Sequence, residues 1–325
     1  LANEIIREGG VVFGAGFDEN WEVKHDCTET VEGLSAFRGS KYVQSRIGDS
    51  FKKAEQFLKI GRTVLFSGTP CQIAGLKRFL RKEYDNLLTV DFICHGVPSP
   101  GVWREYLKEE TVRLYDRKNR FLSHPYQKEE VCIEGISFRD KCLGWKKFSF
   151  TLHVSVADRH GDKKSFLLSE PLDKNIFMRG FLADLYLRPS CYACPSKTFK
   201  SGSDITIGDF WGVQHVMPMI DDDKGVSVVM LNAIKGETYF RKIGLDSSIV
   251  GYEVVLRYNP SIEKSVSLTG KRKLFYSDTK ATLDERIENL CRLTYKQRLR
   301  MIFDIILGEK VKNFIKRHCL SKLES

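Results

Sequence analysis

Two consecutive strand–turn–helix units limit the fold of this chain more than any other feature of its sequence. Residues 63–66 are a short apolar run typical of a buried strand, and the Thr-Pro pair at residues 69–70 supplies a helix cap and a proline at the first helical position. Residues 87–93 and the Ser-Pro pair at residues 99–100 repeat the pattern. Because strands joined by helices in this order run parallel through right-handed crossovers, the sequence predicts an α/β fold.

We expect a mixed, mainly parallel central sheet with helices on both faces. Short apolar or alternating runs predict further strands at residues 11–17, 21–25, 131–138, 147–156, 164–168, 204–207, 225–232 and 249–256. Helical patterns predict further helices at residues 1–7, 28–37, 50–60, 102–114, 172–187 and 235–243. The polar residues 115–130 are expected to be irregular.

The C-terminal part of the chain is predicted to be a basic, amphipathic helical tail. Of the net charge of +10, residues 270–325 carry +7, with 14 Lys and Arg against 7 Asp and Glu. No aromatic-laced nucleic-acid motif accompanies this charge, so no nucleic-acid partner is expected. The resulting division is an N-terminal segment (1–60), a domain carrying the cysteine site (61–268) and the tail (269–325). The chain opens on Leu1, inside a helical pattern, which suggests that it continues a longer protein.

The cysteine content favours reduced thiols. Nine cysteines are scattered over 325 residues, an odd and dispersed set that is atypical of a secreted disulfide framework. No apolar run approaches the roughly 20 residues that span a bilayer. We therefore expect a cytoplasmic protein without a transmembrane segment, in which some thiols bind a metal.

Cys71 and Cys94 directly follow the two predicted parallel strands. In open α/β sheets, ligands bind at the carboxyl ends of the strands. Cys71 also falls in the first turn of its helix, where the helix dipole favours a thiolate. Both cysteines are therefore candidate ligands at one edge of the sheet.

Cys191 and Cys194 form a CxxC motif, with Pro195 directly after it. This spacing brings two thiolates together and is compatible with an iron–sulfur cluster, a zinc ion or a redox disulfide. A disulfide-exchange site would place the motif inside a βαβ unit, which is not the pattern here. The proline favours an iron–sulfur cluster, while structural zinc remains an alternative.

Charged residues near these cysteines are candidates for supporting roles. Lys197 and Lys200 would moderate the negative charge of a thiolate-ligated centre. The sequence allows three roles for His95: a metal ligand, a proton donor or a residue that orients its loop. Asp209 is a candidate cofactor contact, although Asp at a strand exit is also common in turns. No pattern of general acid–base or nucleophilic residues stands out, so no catalytic residue is assigned.

Residues 38–45 form a basic loop with hydroxyl groups and an aromatic ring. Such a loop offers backbone N–H groups, a cation and a stacking surface to a phosphorylated aromatic ligand. An ordinary surface loop has the same composition, so the residues alone leave both interpretations open.

Several of these stretches together resemble the beta-subunit family of coenzyme F420 hydrogenases and dehydrogenases. The matching pieces are RGSKYVQS at 38–45, SGTPCQIAGLKRFL at 67–80, VDFICHGVPSP at 90–100, CYACP at 191–195, SDITIGDFWG at 203–212 and YNPSIEKS at 258–265. The resemblance extends from the first residues to about residue 264. It is strongest to bacterial members associated with polysaccharide biosynthesis.

The resemblance implies two cofactors. One is a [4Fe-4S] cluster held by the four cysteines singled out above, namely Cys71, Cys94, Cys191 and Cys194. The other is FAD, in a site that includes Gly39, Ser40, Lys41 and Tyr42. Thr206 and Gly208 are expected in the wall between cluster and flavin.

The resemblance also implies a redox function. Similar proteins pass electrons from a partner through the cluster to the flavin, which exchanges hydride with a deazaflavin coenzyme. We expect an electron-donor protein or ferredoxin-like module, absent from this sequence, as partner and a deazaflavin-like or other small molecule as acceptor. The alternative is a zinc-stabilised, non-redox binding protein in glycan assembly.

Overall fold

The computed structural model describes residues 1–119, 131–157 and 163–292. The strands in these ranges are β1 (Val11–Phe17), β2 (Val23–Thr28), β3 (Val64–Ser67), β4 (Leu87–Phe92), β5 (Val131–Asp140), β6 (Ser149–Ala157), β7 (Lys163–Pro171), β8 (Ile205–Asp209) and β9 (Ser227–Leu231).

The α-helices are α1 (Ala2–Arg7), α2 (Ser50–Lys59), α3 (Pro70–Leu80), α4 (Pro100–Asn119), α5 (Ile176–Leu182), α6 (Val213–Val216), α7 (Ile234–Lys242), α8 (Tyr252–Tyr258), α9 (Gly270–Ser277) and α10 (Leu283–Cys291). Short 3₁₀ helices cover Glu32–Phe37, Pro189–Ala193, Pro218–Ile220 and Pro260–Ile262.

The central sheet has six strands in the order β2-β1-β3-β4-β8-β9. Strands β1, β3, β4 and β8 run parallel, and the edge strands β2 and β9 are antiparallel to their neighbours. The prediction of a mixed, mainly parallel sheet is therefore confirmed. Strands β5, β6 and β7 form a separate antiparallel sheet.

Helices cover both faces of the central sheet because side chains alternate along its strands. Val11 and Phe13 of β1 pack in one cluster with α2 and α3. Val12, between them, packs on the other face with Ile5 of α1 and with Tyr239 of α7. All three β1 side chains are at most 3 % exposed, so both faces of the strand are buried.

The second sheet packs against α4 and α5 through aromatic side chains. The ring of Trp103 in α4 is fully buried and lies 5.0 Å from that of Phe138 in β5 and 5.0 Å from that of Phe177 in α5. Val23 of β2 belongs to the same buried cluster, which thereby joins the second sheet to the first.

The prediction of a strand at residues 249–256 was wrong, because this segment enters helix α8. The β-branched pair at residues 254–255 favours a strand by propensity. Val255 is instead 3 % exposed in a cluster with Trp145 and Phe210. Tertiary packing thus outweighs the local preference.

Two further predictions had wrong boundaries. Helix α5 is shorter than the predicted 172–187, because the side chain of Asn175 accepts a hydrogen bond from the Met178 amide and caps the helix there. Asp184, with φ of 57°, departs from helical geometry shortly after its end. Helix α4 continues to Asn119, into the segment expected to be irregular.

The first part of the predicted tail is helical. Helix α10 starts with a capping box between Thr282 and Glu285, and it buries Leu283 and Ile287. The rest of the predicted tail helix, residues 293–325, lies outside the described residues. In the ranges that the structure describes, no helix combines the length and apolar character needed to cross a membrane.

Candidate functional site

Cys71 and Cys94 lie at the carboxyl edge of the central sheet, beyond the neighbouring parallel strands β3 and β4. A capping box between Thr69 and Gln72 fixes the first turn of α3, which contains Cys71. The Thr69 hydroxyl lies 3.2 Å from the Cys71 Sγ. The strand–turn–helix pattern that places these two cysteines was readable from the sequence.

Cys191 and Cys194 reach the same edge because the chain folds back beside the loop that follows β4. The amide of Ser99 donates to the carbonyl of Tyr186 at 3.0 Å, which aligns the outgoing and returning segments. The 3₁₀ helix Pro189–Ala193 then carries Cys191, and Cys194 follows directly after it.

All four cysteines line one pocket. Other residues that line it include Thr69, Asp91, His95, Lys197, Thr206 and Ser261. Within the described part of the chain, no three His, Cys, Asp or Glu side chains form a group that could hold a single metal ion. The pocket therefore gathers four thiols from three separate segments around a shared space.

Burial and mutual repulsion both act on these thiols. Burial raises the pKa of Cys94 to about 12, Lys197 opposes that rise, and the other three cysteines add to it. Burial likewise raises the pKa of Cys191, and Cys71 and Cys194 add to that rise as well. Four thiolates in this pocket would need compensating positive charge.

Lys197 is the cation that lines the pocket, while Arg188 acts on Cys191 from outside the lining. Its Nζ donates to the backbone carbonyl of Cys94 at 2.6 Å and to that of Ser261 at 2.5 Å. Lys200, the second lysine considered from the sequence, is exposed and does not line the pocket.

His95 lines the pocket and pairs with a carboxylate. Its Nε2 lies 2.6 Å from Asp184 Oδ1, and its ring packs edge-on against Phe181 at 5.5 Å. The ring is thus held from two sides, as a residue that orients its loop would be. The backbone carbonyl of Asp184 accepts a hydrogen bond from the Tyr192 hydroxyl at 2.5 Å.

The predicted flavin loop lies beyond Phe181, outside the cysteine pocket. Gly39 and Ser40 are exposed, whereas Lys41 and Tyr42 are half-buried. The Tyr42 ring stacks on Phe181 at 4.9 Å. Phe181 therefore contacts both His95, from the pocket, and Tyr42, from the loop.

Lys41 turns back onto its own loop. Its Nζ donates to the carbonyls of Arg38 at 3.0 Å and Gly39 at 3.2 Å, and it lies 5.7 Å from the centre of the Phe17 ring. Burial lowers the pKa of Lys41 to about 8. Lys41 therefore donates hydrogen bonds from a position where burial disfavours its charged form.

Thr206 and Gly208 take different positions on β8. Thr206 lines the pocket, and its hydroxyl donates to the buried Asp91 carboxylate at 2.5 Å. Gly208 packs against Ile93, whose side chain would lie 2.6 Å from a Cβ at this position. The structure thus brings Thr206, but not Gly208, to the lining of the cysteine pocket.

Sequence reasoning missed a buried polar network that ties the loop to α3. The side-chain Nε2 of Gln72 donates to the Ser45 hydroxyl at 2.8 Å. This hydroxyl in turn lies 2.8 Å from His25 Nδ1. His25 Nε2 lies 3.0 Å from the Ser67 carbonyl, so the ring donates there and accepts from Ser45. Burial lowers the pKa of His25, in keeping with this neutral ring.

Sequence reasoning also missed Arg139, which links the second sheet to the end of β8. Its Nη1 donates to Asp209 Oδ2 at 2.5 Å, and its guanidinium lies 5.7 Å from the Trp211 ring. Trp145 Nε1 donates to the other oxygen of Asp209 at 3.2 Å. Asp209 is therefore engaged by protein groups. No local signal identifies Arg139, because its partner is distant in sequence.

The fold and this site define an α/β protein with four cysteines gathered at the carboxyl edge of a mainly parallel sheet. The family model for the C terminus of the coenzyme F420 hydrogenase/dehydrogenase beta subunit matches residues 61–250. The chain therefore belongs to this family, which assigns it an oxidoreductase-type, hydrogenase-beta-subunit-like redox role.

Two other comparisons add little to this assignment. A chain of the F420-reducing [NiFe] hydrogenase complex from Methanosarcina barkeri, in a xenon-derivatised structure, is similar at 15% identity with a TM-score of 0.39. The match covers 92% of this chain and 81% of that chain. No curated protein matches the chain.

Proposed function

We propose that the chain is an iron–sulfur flavoprotein subunit that holds one [4Fe-4S] cluster through Cys71, Cys94, Cys191 and Cys194. The observation that carries this proposal is that all four cysteines, from three segments, line one pocket. When bound, such a cluster supplies one-electron transfer. The chain's own residues would hold it, bury it and set its potential.

The donor set fits a cluster. Each iron of a four-iron cluster takes its own thiolate, so the sulfurs surround a space, whereas a zinc ion needs four ligands about 2.0–2.3 Å from one point. The pocket offers four thiols around such a space, together with the Lys197 ammonium as compensating charge. A zinc-stabilised binding protein is the competing outcome of the experiment below.

We propose FAD as the second cofactor, held by the loop with Gly39, Ser40, Lys41 and Tyr42. The support is that Tyr42 and His95 contact the same side chain, Phe181, so the loop adjoins the cysteine pocket. Thr206 and Gly208 are proposed to belong to the wall between the two cofactors.

The remaining assignments are also proposals. An electron-donor protein or ferredoxin-like module would deliver electrons to the cluster, and a deazaflavin-like or other small molecule would accept them from the flavin, in polysaccharide biosynthesis and in the cytoplasm. The division into segments 1–60, 61–268 and 269–325 stays a prediction. Both of the first two segments contribute strands to the central sheet.

Metal and sulfide analysis tests the cluster. Protein purified without oxygen is expected to be brown and to contain about four iron and four sulfide per chain. Cys191→Ser is expected to lose most of the iron, whereas Cys132→Ser, at an exposed cysteine outside the pocket, should retain it. A colourless protein with one zinc per chain would overturn the proposal, and full iron in Cys191→Ser would remove that ligand. FAD released on denaturation is quantified separately.

A further inference from the structure

Lys197 is the one lysine among the buried side chains of the described residues, with a relative exposure of 9%. Its ammonium group donates to two backbone carbonyls, those of Cys94 and Ser261. Across the described ranges, no carboxylate oxygen lies within 4.0 Å of it. Backbone carbonyl groups thus accept the hydrogen bonds of Lys197, while no acidic side chain forms an ion pair with it.

A buried ammonium group is costly unless a negative charge compensates it. The groups lining the pocket that can carry a negative charge are its four thiols and Asp91, whose carboxylate accepts a hydrogen bond from the Thr206 hydroxyl. The Lys197 ammonium lines the same pocket as all four cysteines. The carbonyl that Lys197 binds belongs to Cys94 itself, so the ammonium lies next to the proposed ligand shell.

The loop after the CxxC motif adopts an unusual backbone where it places Lys197. Thr198 and Phe199 follow it in the left-handed region, with φ of 54° and 58°. Non-glycine residues rarely adopt this conformation, and β-branched residues least of all. The Thr198 amide donates to the carbonyl of Ile262 at 2.9 Å, next to the carbonyl of Ser261 that accepts from Lys197. Backbone strain is therefore retained where the chain turns Lys197 inward.

We propose that Lys197 is the resident counter-cation of the cysteine site and that its charge stabilises the reduced form of the cluster. The inference rests on the cluster of the proposed function. Reduction by a one-electron donor such as dithionite adds one negative charge to the site and makes or breaks no bond. A fixed positive charge in a buried site favours the more negative state, so Lys197 raises the midpoint potential.

The test is a redox titration of the iron-loaded chain, followed by electron paramagnetic resonance of the reduced cluster. Lys197→Gln keeps an N–H donor for the carbonyls but removes the charge. It is expected to lower the equilibrium constant for reduction at least tenfold, a shift of about 59 mV or more to lower potential. Lys197→Arg keeps the charge and should stay near the wild-type potential.

Lys200→Gln is the matched control, because it removes the same charge from the same loop at an exposed position where solvent screens it. The inference is overturned if iron-loaded Lys197→Gln has the wild-type midpoint potential, or if Lys200→Gln shifts the midpoint potential by the same amount. Neither result would contradict the proposal that the chain holds a cluster. If Lys197→Gln loses iron while Lys197→Arg retains it, the result supports the inference that the site needs a positive charge at this position. If both variants lose iron, the inference is refuted. A wild-type chain without iron overturns the cluster and this inference together.

Discussion

The carboxylate of Asp204 joins the start of β8 to β4 through two buried hydrogen bonds. Its Oδ2 accepts from the Thr89 amide at 2.7 Å and from the Thr89 hydroxyl at 2.6 Å. Asp204 is 6% exposed and Thr89 is fully buried. Asp204→Ala removes the oxygen that accepts both hydrogen bonds and deprives the buried Thr89 amide of this partner. Since hydrogen bonds to charged groups contribute about 1.5–3 kcal/mol each, we expect the loss of two to lower the free energy of unfolding by roughly 3–6 kcal/mol.

Urea unfolding followed by tryptophan fluorescence measures this change through the midpoint and the slope. A double-mutant cycle with Thr89→Val isolates the interaction, and we expect a coupling of at least about 1 kcal/mol. Asp246→Ala, at an exposed position, is the control and should change stability by less than about 0.5 kcal/mol.

A loss below about 1 kcal/mol in Asp204→Ala, or additive single effects in the cycle, would refute this account of the β4–β8 junction. The same variant should also bind less iron, because Asp204 anchors the end of the loop that begins at the CxxC motif. Normal iron content with reduced stability would mean that the pocket tolerates movement of β8.

Two further predictions concern the pocket edge and the predicted flavin loop. In Gly96→Ala, the new Cβ would lie 2.8 Å from Leu187 Cδ1 and 3.4 Å from Cys191 Cβ. Overpacking of this kind costs about 1–3 kcal/mol, so thermal denaturation should show a lower midpoint and metal analysis less iron. The pKa of Lys41 is lowered from 10.5 to about 8 by burial, so the folded chain binds fewer protons than the unfolded chain between these values. The free energy of unfolding of the wild type relative to that of Lys41→Met should therefore rise as pH increases from 8 to 10.5. A constant difference between the urea midpoints of the two proteins across this window would contradict the prediction.

The central sheet could be predicted because its signals are local. Apolar runs followed by a hydroxyl residue and proline placed β3, α3 and β4, and hence Cys71 and Cys94 at one edge. The C-terminal elements were harder, since α8 has strand-like propensity and owes its helical form to packing around Val255. Helix α5 starts at its Asn175 cap, which lies inside the pattern predicted to be helical.

The residues alone predicted only in part that the four cysteines would line one pocket. Topology placed two of the cysteines, whereas the position of the CxxC motif depends on a chain reversal that no local pattern encodes. The polar network from Gln72 through Ser45 to His25 and the pairing of Arg139 with Asp209 are likewise contacts between distant segments. Polar and charged side chains of these types are common on protein surfaces. Their burial here is therefore visible in the structure and not in the sequence.

The pairing of Ser99 with Tyr186 has a consequence for how this chain can vary. It brings together the two ends of a long excursion that contains α4, the second sheet and α5, so the excursion is closed at its base like the stem of a loop. A flexible segment added to such an excursion is inexpensive, since doubling the length of a flexible loop adds only about 0.6 kcal/mol of closure entropy. Additional modules placed in the excursion, acquired or engineered, would leave the geometry of the four thiols unchanged only where the Arg139–Asp209 pair and the contact of Phe181 with His95 are kept.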